Sequence, residues 1–118
     1  MVTQRFRLDM LPDGSPSFEA YVSQHDVPIH FDVELYAHDG ELTIPAGAAA
    51  CLEGSTASSG TQVSADCTRS GAIVRFDLPA SATGEMGRHV MQIVLKYDGK
   101  ELRSTPFVVC VEGDPILL

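Results

Sequence analysis

The chain reads as an all-β domain: an immunoglobulin-like antiparallel β-sandwich of seven to nine strands with one short helical crossover. Three observations predict it. Apolar and polar residues alternate with period two in one segment after another, as in strands with one buried and one wet face. Turn dipeptides separate these segments at the spacing of a sandwich or barrel. No long stretch carries apolar residues at helical spacing. The 118 residues fit a single domain over 1–118. A chain of this length buries roughly two thirds of the surface its unfolded form exposes. Its 44% hydrophobic residues therefore suffice for a core without metal or disulfide staples.

The elements follow in order. Phe6, Leu8 and Met10 alternate with Arg7 and Asp9. Asp13-Gly14 separates that strand from a second, in which Phe18, Ala20 and Val22 alternate with Glu19, Tyr21 and Ser23. Ile29, Phe31, Val33 and Leu35 alternate with His30, Asp32 and Glu34, and Asp39-Gly40 marks a turn after Tyr36. The soft segment 54–60, rich in Gly and Ser, reads as a hairpin tip. Ser70-Gly71 joins the strand ending near Arg69 to one in which Val74, Phe76 and Leu78 alternate with Arg75 and Asp77. Residues 79–86 can make one or two helical turns before Gly84 and Gly87 stop them. Residues 90–97 and 107–111 are apolar on both parities and read as central strands. Asp98-Gly99 suits a tight primed turn, which needs positive φ.

The formal net charge is −8. It argues against nucleic acid as a partner, since phosphate binding needs clustered Lys and Arg, and against an anionic membrane surface. Residues 1–6 lack the apolar run of a signal peptide. No apolar run is long enough for a membrane helix, and the sequence has no Asn to accept a glycan. These features favour a protein made and kept in a cytoplasm until a particle carries it out. Three cysteines make a poor disulfide framework. Cys51 and Cys67 sit symmetrically about Ser59. They either bridge, if their Cβ atoms approach to about 4 Å, or pack as small apolar groups.

Candidate chemistry is sparse. Of four histidines, three have an Asp close by: His25-Asp26, His30 with Asp32, and His38-Asp39. His30, Asp32 and Glu34 share one strand face about 7 Å apart. A metal site needs three or four converging ligands, and the remaining ligands have no candidate, so a solvated strand face is the expected role. The serines of 54–60 lack a strained elbow, and the cysteines lie in apolar contexts that disfavour thiolates. No Gly-rich phosphate loop occurs. No catalytic residue and no cofactor are therefore expected. Parity exposes Tyr21 and Tyr36, and without any Trp the chain offers little for a carbohydrate platform.

One succession of motifs carries a resemblance. Tyr21-Val22-Ser23-Gln24-His25-Asp26 leads into the alternating strand ending at Leu35-Tyr36. Asp39-Gly40, Leu42-Thr43-Ile44-Pro45-Ala46-Gly47-Ala48 and Cys51-Leu52-Glu53-Gly54 follow. In this order they resemble the N-terminal domain of phage baseplate upper proteins, over nearly the whole chain. The Val-Ser-Gln and Ile-Pro-Ala-Gly pieces carry most of the likeness. His25 stands where Gly is common in that family, and Pro28 follows it. The resemblance implies a β-sandwich adaptor that docks on a tail hub, without catalysis or cofactor.

The expected function is thus a non-enzymatic structural protein of a bacteriophage virion, a tail or baseplate adaptor serving assembly and, indirectly, host attachment. Its partners would be other virion proteins, tail hub or fibre components, or further copies of itself in an oligomer, with neither nucleic acid nor membrane. The chain stops just after the domain, so it is either an anchoring domain or a standalone module decorating a capsid or tail. An immunoglobulin-like cell-surface adhesion module is the remaining alternative. The expected contact surfaces are the outer face around His30, Asp32 and Glu34, and the apolar tail Ile116, Leu117 and Leu118. Backbone edges of a sheet also invite pairing with another chain.

Overall fold

The computed structural model describes residues 2–10, 18–24, 28–37, 40 and 42–113. Among these are nine strands and one helical turn: β1 (Val2–Asp9), β2 (Glu19–Ser23), β3 (Ile29–Tyr36), β4 (Ala49–Thr56), β5 (Gln62–Ser70), β6 (Ile73–Asp77), α1 (Ala80–Thr83), β7 (Gly87–Tyr97), β8 (Lys100–Arg103) and β9 (Phe107–Glu112). The alternation seen in the sequence is realised. Ile29, Phe31, Val33 and Leu35 are buried, while the residues between them reach solvent. The doubly apolar runs are indeed inner strands. In β7, Ile93, Val94 and Leu95 are all fully buried, and β9 buries Phe107, Val108 and Val109 in succession.

The strands form one sheet in the order β1-β3-β6-β5-β4-β7-β9-β2, with β8 attached to β7. β5 carries the sheet around the core. Residues 62–67 pair with β4, and Thr68, Arg69 and Ser70 pair with β6. The result is a nearly closed, barrel-like curl rather than the two separate layers of the expected immunoglobulin-like sandwich. Nor is the sheet wholly antiparallel: β1·β3 and β2·β9 are parallel pairs. Alternation along one strand fixes which face is buried but not which neighbour it takes. Parallel neighbours also need a long connection, and β1 meets β3 only after the chain has passed through β2.

The turns follow their chemistry. Asp98 and Gly99 take φ of 51° and 70°, the primed turn expected between β7 and β8. Gly71 makes the β5–β6 turn at φ 59°. The helical crossover is shorter than 79–86. Pro79 opens it and Gly84 closes it, the Gly84 amide bonding back to the Ala80 carbonyl. The turns expected at Asp13-Gly14 and Asp39-Gly40 involve residues outside those described.

Gly54 is required for a different reason. It lies in β4 opposite Met91 of β7. A Cβ there would stand 2.2 Å from the Val90 carbonyl oxygen and 2.9 Å from the Met91 Cα. Backbone, not a yielding side chain, blocks that space. Gly54→Ala is therefore expected to destabilise the domain by about 2–3 kcal/mol. Chemical denaturation with an unchanged m-value, reading a lower midpoint, checks it.

Candidate interaction surface

The outer face of β1, β3, β6 and β5 forms an open depression of about 570 Å³, lined among others by Thr3, Arg5, His30, Asp32, Thr68 and Arg75. A second one of about 450 Å³ continues it along Arg7 and Glu34. Strand register aligns the charges: Arg7 opposite Glu34, Arg5 opposite Asp32, and Asp32 opposite Arg75. The Arg7–Glu34 pair closes at 3.5 Å and Arg75–Asp32 at 3.2 Å. His30 pairs with Asp77 through Nδ1, not with the Asp32 that its sequence neighbourhood suggests. The three residues His30, Asp32 and Glu34 share the face as expected, but they do not converge: His30 and Asp32 turn to Asp77 and Arg75 of β6, and Glu34 turns to Arg7 of β1. Among the described residues, no group of three or more metal-ligating side chains converges. This face is a charge-paired ladder. Exposed pairs of this kind add little stability, ~0–1 kcal/mol each. Ile116, Leu117 and Leu118, the other expected contact, lie outside the described residues, as do His25, Asp26, His38 and Asp39.

A second charged cluster covers the outer side of β4, β7 and β8. Arg103 lies 3.2 Å from Glu53 and 3.1 Å from Glu101, and Lys96 lies 3.5 Å from Glu53. Burial raises the Glu53 pKa, but the Arg103 hydrogen bond and charge outweigh it and hold the carboxyl below its usual range. On β2 and β7, Arg88 bonds Glu19 at 2.7 Å, and the Tyr21 hydroxyl donates to the same carboxylate at 2.9 Å. Tyr21 is 60% exposed, as its parity predicts. Tyr36 instead lies beneath the Arg7 guanidinium, 4.4 Å from its ring centre.

The motif residues have structural work. Gln24, of the Val-Ser-Gln piece, donates to the Thr83 carbonyl and ties the end of β2 to α1. The Ile-Pro-Ala-Gly turn is held by Arg69, whose guanidinium donates to the carbonyls of Pro45, Ala46, Ala48 and Gly71 at 2.7–3.2 Å. Four carbonyls of two turns thus gain partners from one side chain. Sequence reading left Arg69 unassigned, because its role appears only when β5 lies beside residues 45–48.

Sequence reading also passed over His89 and Thr56. The His89 ring is fully buried, with Nε2 donating to the Glu85 carbonyl at 2.8 Å. In the neutral ring Nδ1 then accepts the Thr56 hydroxyl, 2.7 Å away. A hydroxyl beside an imidazole is the beginning of nucleophile activation, but Thr56 is itself buried. The pair joins β4 to β7 inside the barrel. Ser59 and then Thr61 bond Glu85 and hold its carboxyl below the usual range, fixing the β4–β5 tip from the other side.

The cysteines do not bridge. Cys67 is in register with Ala50 and packs on the core, whereas Cys51, one residue along β4, is on the opposite face beside Glu53. A disulfide of the adhesion-module kind has no geometry here.

No protein-family profile matches the chain, and no curated protein sequence matches it. Among solved structures, the N-terminal domain of phage TP901-1 ORF48 superposes with a TM-score of 0.72 at 10% sequence identity. The match covers 95% of this chain and 99% of that one. The likeness is one of fold. It takes in the curled sheet essentially end to end.

Burial pushes the Cys67 thiol up to about 12 from its ordinary 9.0. A raised thiol pKa favours the folded state fully below pH 9, and that contribution is lost as pH rises toward 12. Stability should therefore fall over that window in the parent protein and fall less steeply in Cys67→Ala. Denaturant midpoints of the two proteins across the window test this.

Proposed function

We propose that this domain is a non-enzymatic adaptor of a bacteriophage tail baseplate, holding other virion proteins together and serving host attachment indirectly. The observation that carries the reading is the fold shared over nearly the full chain with a domain of a phage protein. The motif order, which resembles baseplate upper proteins, supports it independently. Its surface chemistry is in keeping. The outer strands present one well-exposed tyrosine, a residue type enriched at contact surfaces, with polar ladders of the kind that rim them. The buried Thr56–His89 pair has a packing role that needs no substrate. Tail hub or fibre components, and further copies of the chain, are the partners of this reading, and the virion tail is its location.

Antibodies raised against the purified domain should label particles of the phage that encodes it at the tail end remote from the capsid. Immunogold electron microscopy reads the outcome. Label on the capsid would move the assignment to a decoration protein, and unlabelled particles would contradict a virion role.

A further inference from the structure

The hydrogen bonds of β1 fix which of its backbone groups face away from β3. The Met10 amide donates to the Tyr36 carbonyl of β3. In a parallel pair the residues that bond to the neighbour alternate. Leu8, Phe6 and Gln4 therefore face β3, and Thr3, Arg5, Arg7 and Asp9 direct their N–H and C=O groups away from it. Asp9 confirms this, since its carbonyl accepts both the Thr105 amide and the Thr105 hydroxyl on that outward side. Among the described residues, no backbone hydrogen bond engages the outward groups of Thr3, Arg5 or Arg7. β1 is an end of the strand order.

Two further features mark the same edge. Phe6 of β1 stacks at 4.0 Å on Phe18, which precedes β2 at the other end of the sheet, and both rings are only half-buried. An added strand would place its inward side chains on that stack. The two central outward side chains of β1 are cationic: Arg5 has no carboxylate partner among the described residues, and Arg7 has only the exposed Glu34. A second copy is a poor occupant. Antiparallel pairing of two β1 edges centred on Arg5 sets Arg5 against Arg5, the register centred on Phe6 sets Arg5 against Arg7, and the one centred on Arg7 sets Arg7 against Arg7. Like charges directly opposite are destabilising.

We infer that the outward edge of β1 accepts an extended segment of another protein as an added strand, with apolar residues toward Phe6 and Phe18 alternating with acidic residues beside Arg5 and Arg7. The overall negative charge does not forbid this, because charges farther away than about 8–10 Å are screened at physiological salt. The adaptor reading supplies the kind of protein that would donate the segment. The edge itself rests on the hydrogen-bond parity of β1, so the two can fail separately.

The test uses the whole chain, isotope-labelled, and two synthetic peptides, one alternating valine with aspartate and one alternating valine with lysine. The aspartate peptide should slow amide exchange at Thr3, Arg5 and Arg7 by about tenfold or more, and the lysine peptide should not. Arg5→Pro removes one outward N–H without touching the β1·β3 ladder, and should abolish the protection while the Phe6 and Leu8 amides stay protected. Arg5→Glu, which keeps the backbone intact, should weaken the aspartate peptide and favour the lysine one. Equal protection by both peptides, protection confined to other strands, or none at all would overturn the proposal. Protection that grows with protein concentration without peptide would overturn it in favour of a second copy.

Discussion

All five phenylalanines of the chain meet inside the barrel. Phe6 stacks on Phe18 at 4.0 Å, and Phe18 on Phe107 at 4.8 Å. Phe107 lies 6.4 Å from Phe76, Phe76 stacks on Phe31 at 5.1 Å, and Phe31 returns to Phe6 at 6.0 Å. The contacts close a ring. Its members come from β1, β3 and β6 at one end of the strand order and from β9 and the entry to β2 at the other. Those two ends are not joined by strand pairing. The aromatic ring is what holds them facing each other, aided by the bonds from Thr105 to Asp9. Aromatic pairs contribute about 0.5–1.5 kcal/mol beyond the area they bury.

The surfaces follow from that closure. With the sheet curled around the phenylalanines, the polar parity of each strand faces solvent, and register stacks those residues into the ladders Arg7–Glu34 and Arg75–Asp32. The same curl stops short of a closed barrel, leaving β1 and β2 as edges of opposite character. The β1 edge bears Arg5 and Arg7, while β2 bears Glu19, already engaged by Arg88. A domain built this way has extended edges and paired charges on its outside and its reactive-looking groups, Thr56 and His89, sealed within.

Much of this was legible in the sequence. Alternation marked the strands, and it assigned the inward parity of Phe6, Phe18, Phe31 and Phe76 correctly. The primed turn at Asp98-Gly99 was readable because only a few residue types tolerate positive φ. Convergence of the phenylalanines was not readable, since it depends on how strands far apart in sequence are ordered. For the same reason the antiparallel expectation missed the pairs β1·β3 and β2·β9. The site was legible as a face, His30, Asp32 and Glu34, but not as a set of bonds, because Asp77, Arg7 and Arg75 come from neighbouring strands. Arg69 had no signal at all: an arginine serving four carbonyls looks in sequence like any exposed cation.

The most direct test of this account is a double-mutant cycle on Phe6 and Phe18, with each changed to leucine singly and together. These two rings belong to opposite ends of the strand order and meet only across the open seam. Closure through the aromatic ring predicts a coupling energy of about 0.5–1.5 kcal/mol between them in denaturant unfolding. Strictly additive losses would contradict it, and would mean that the curl is maintained by the hydrogen-bonded sheet alone.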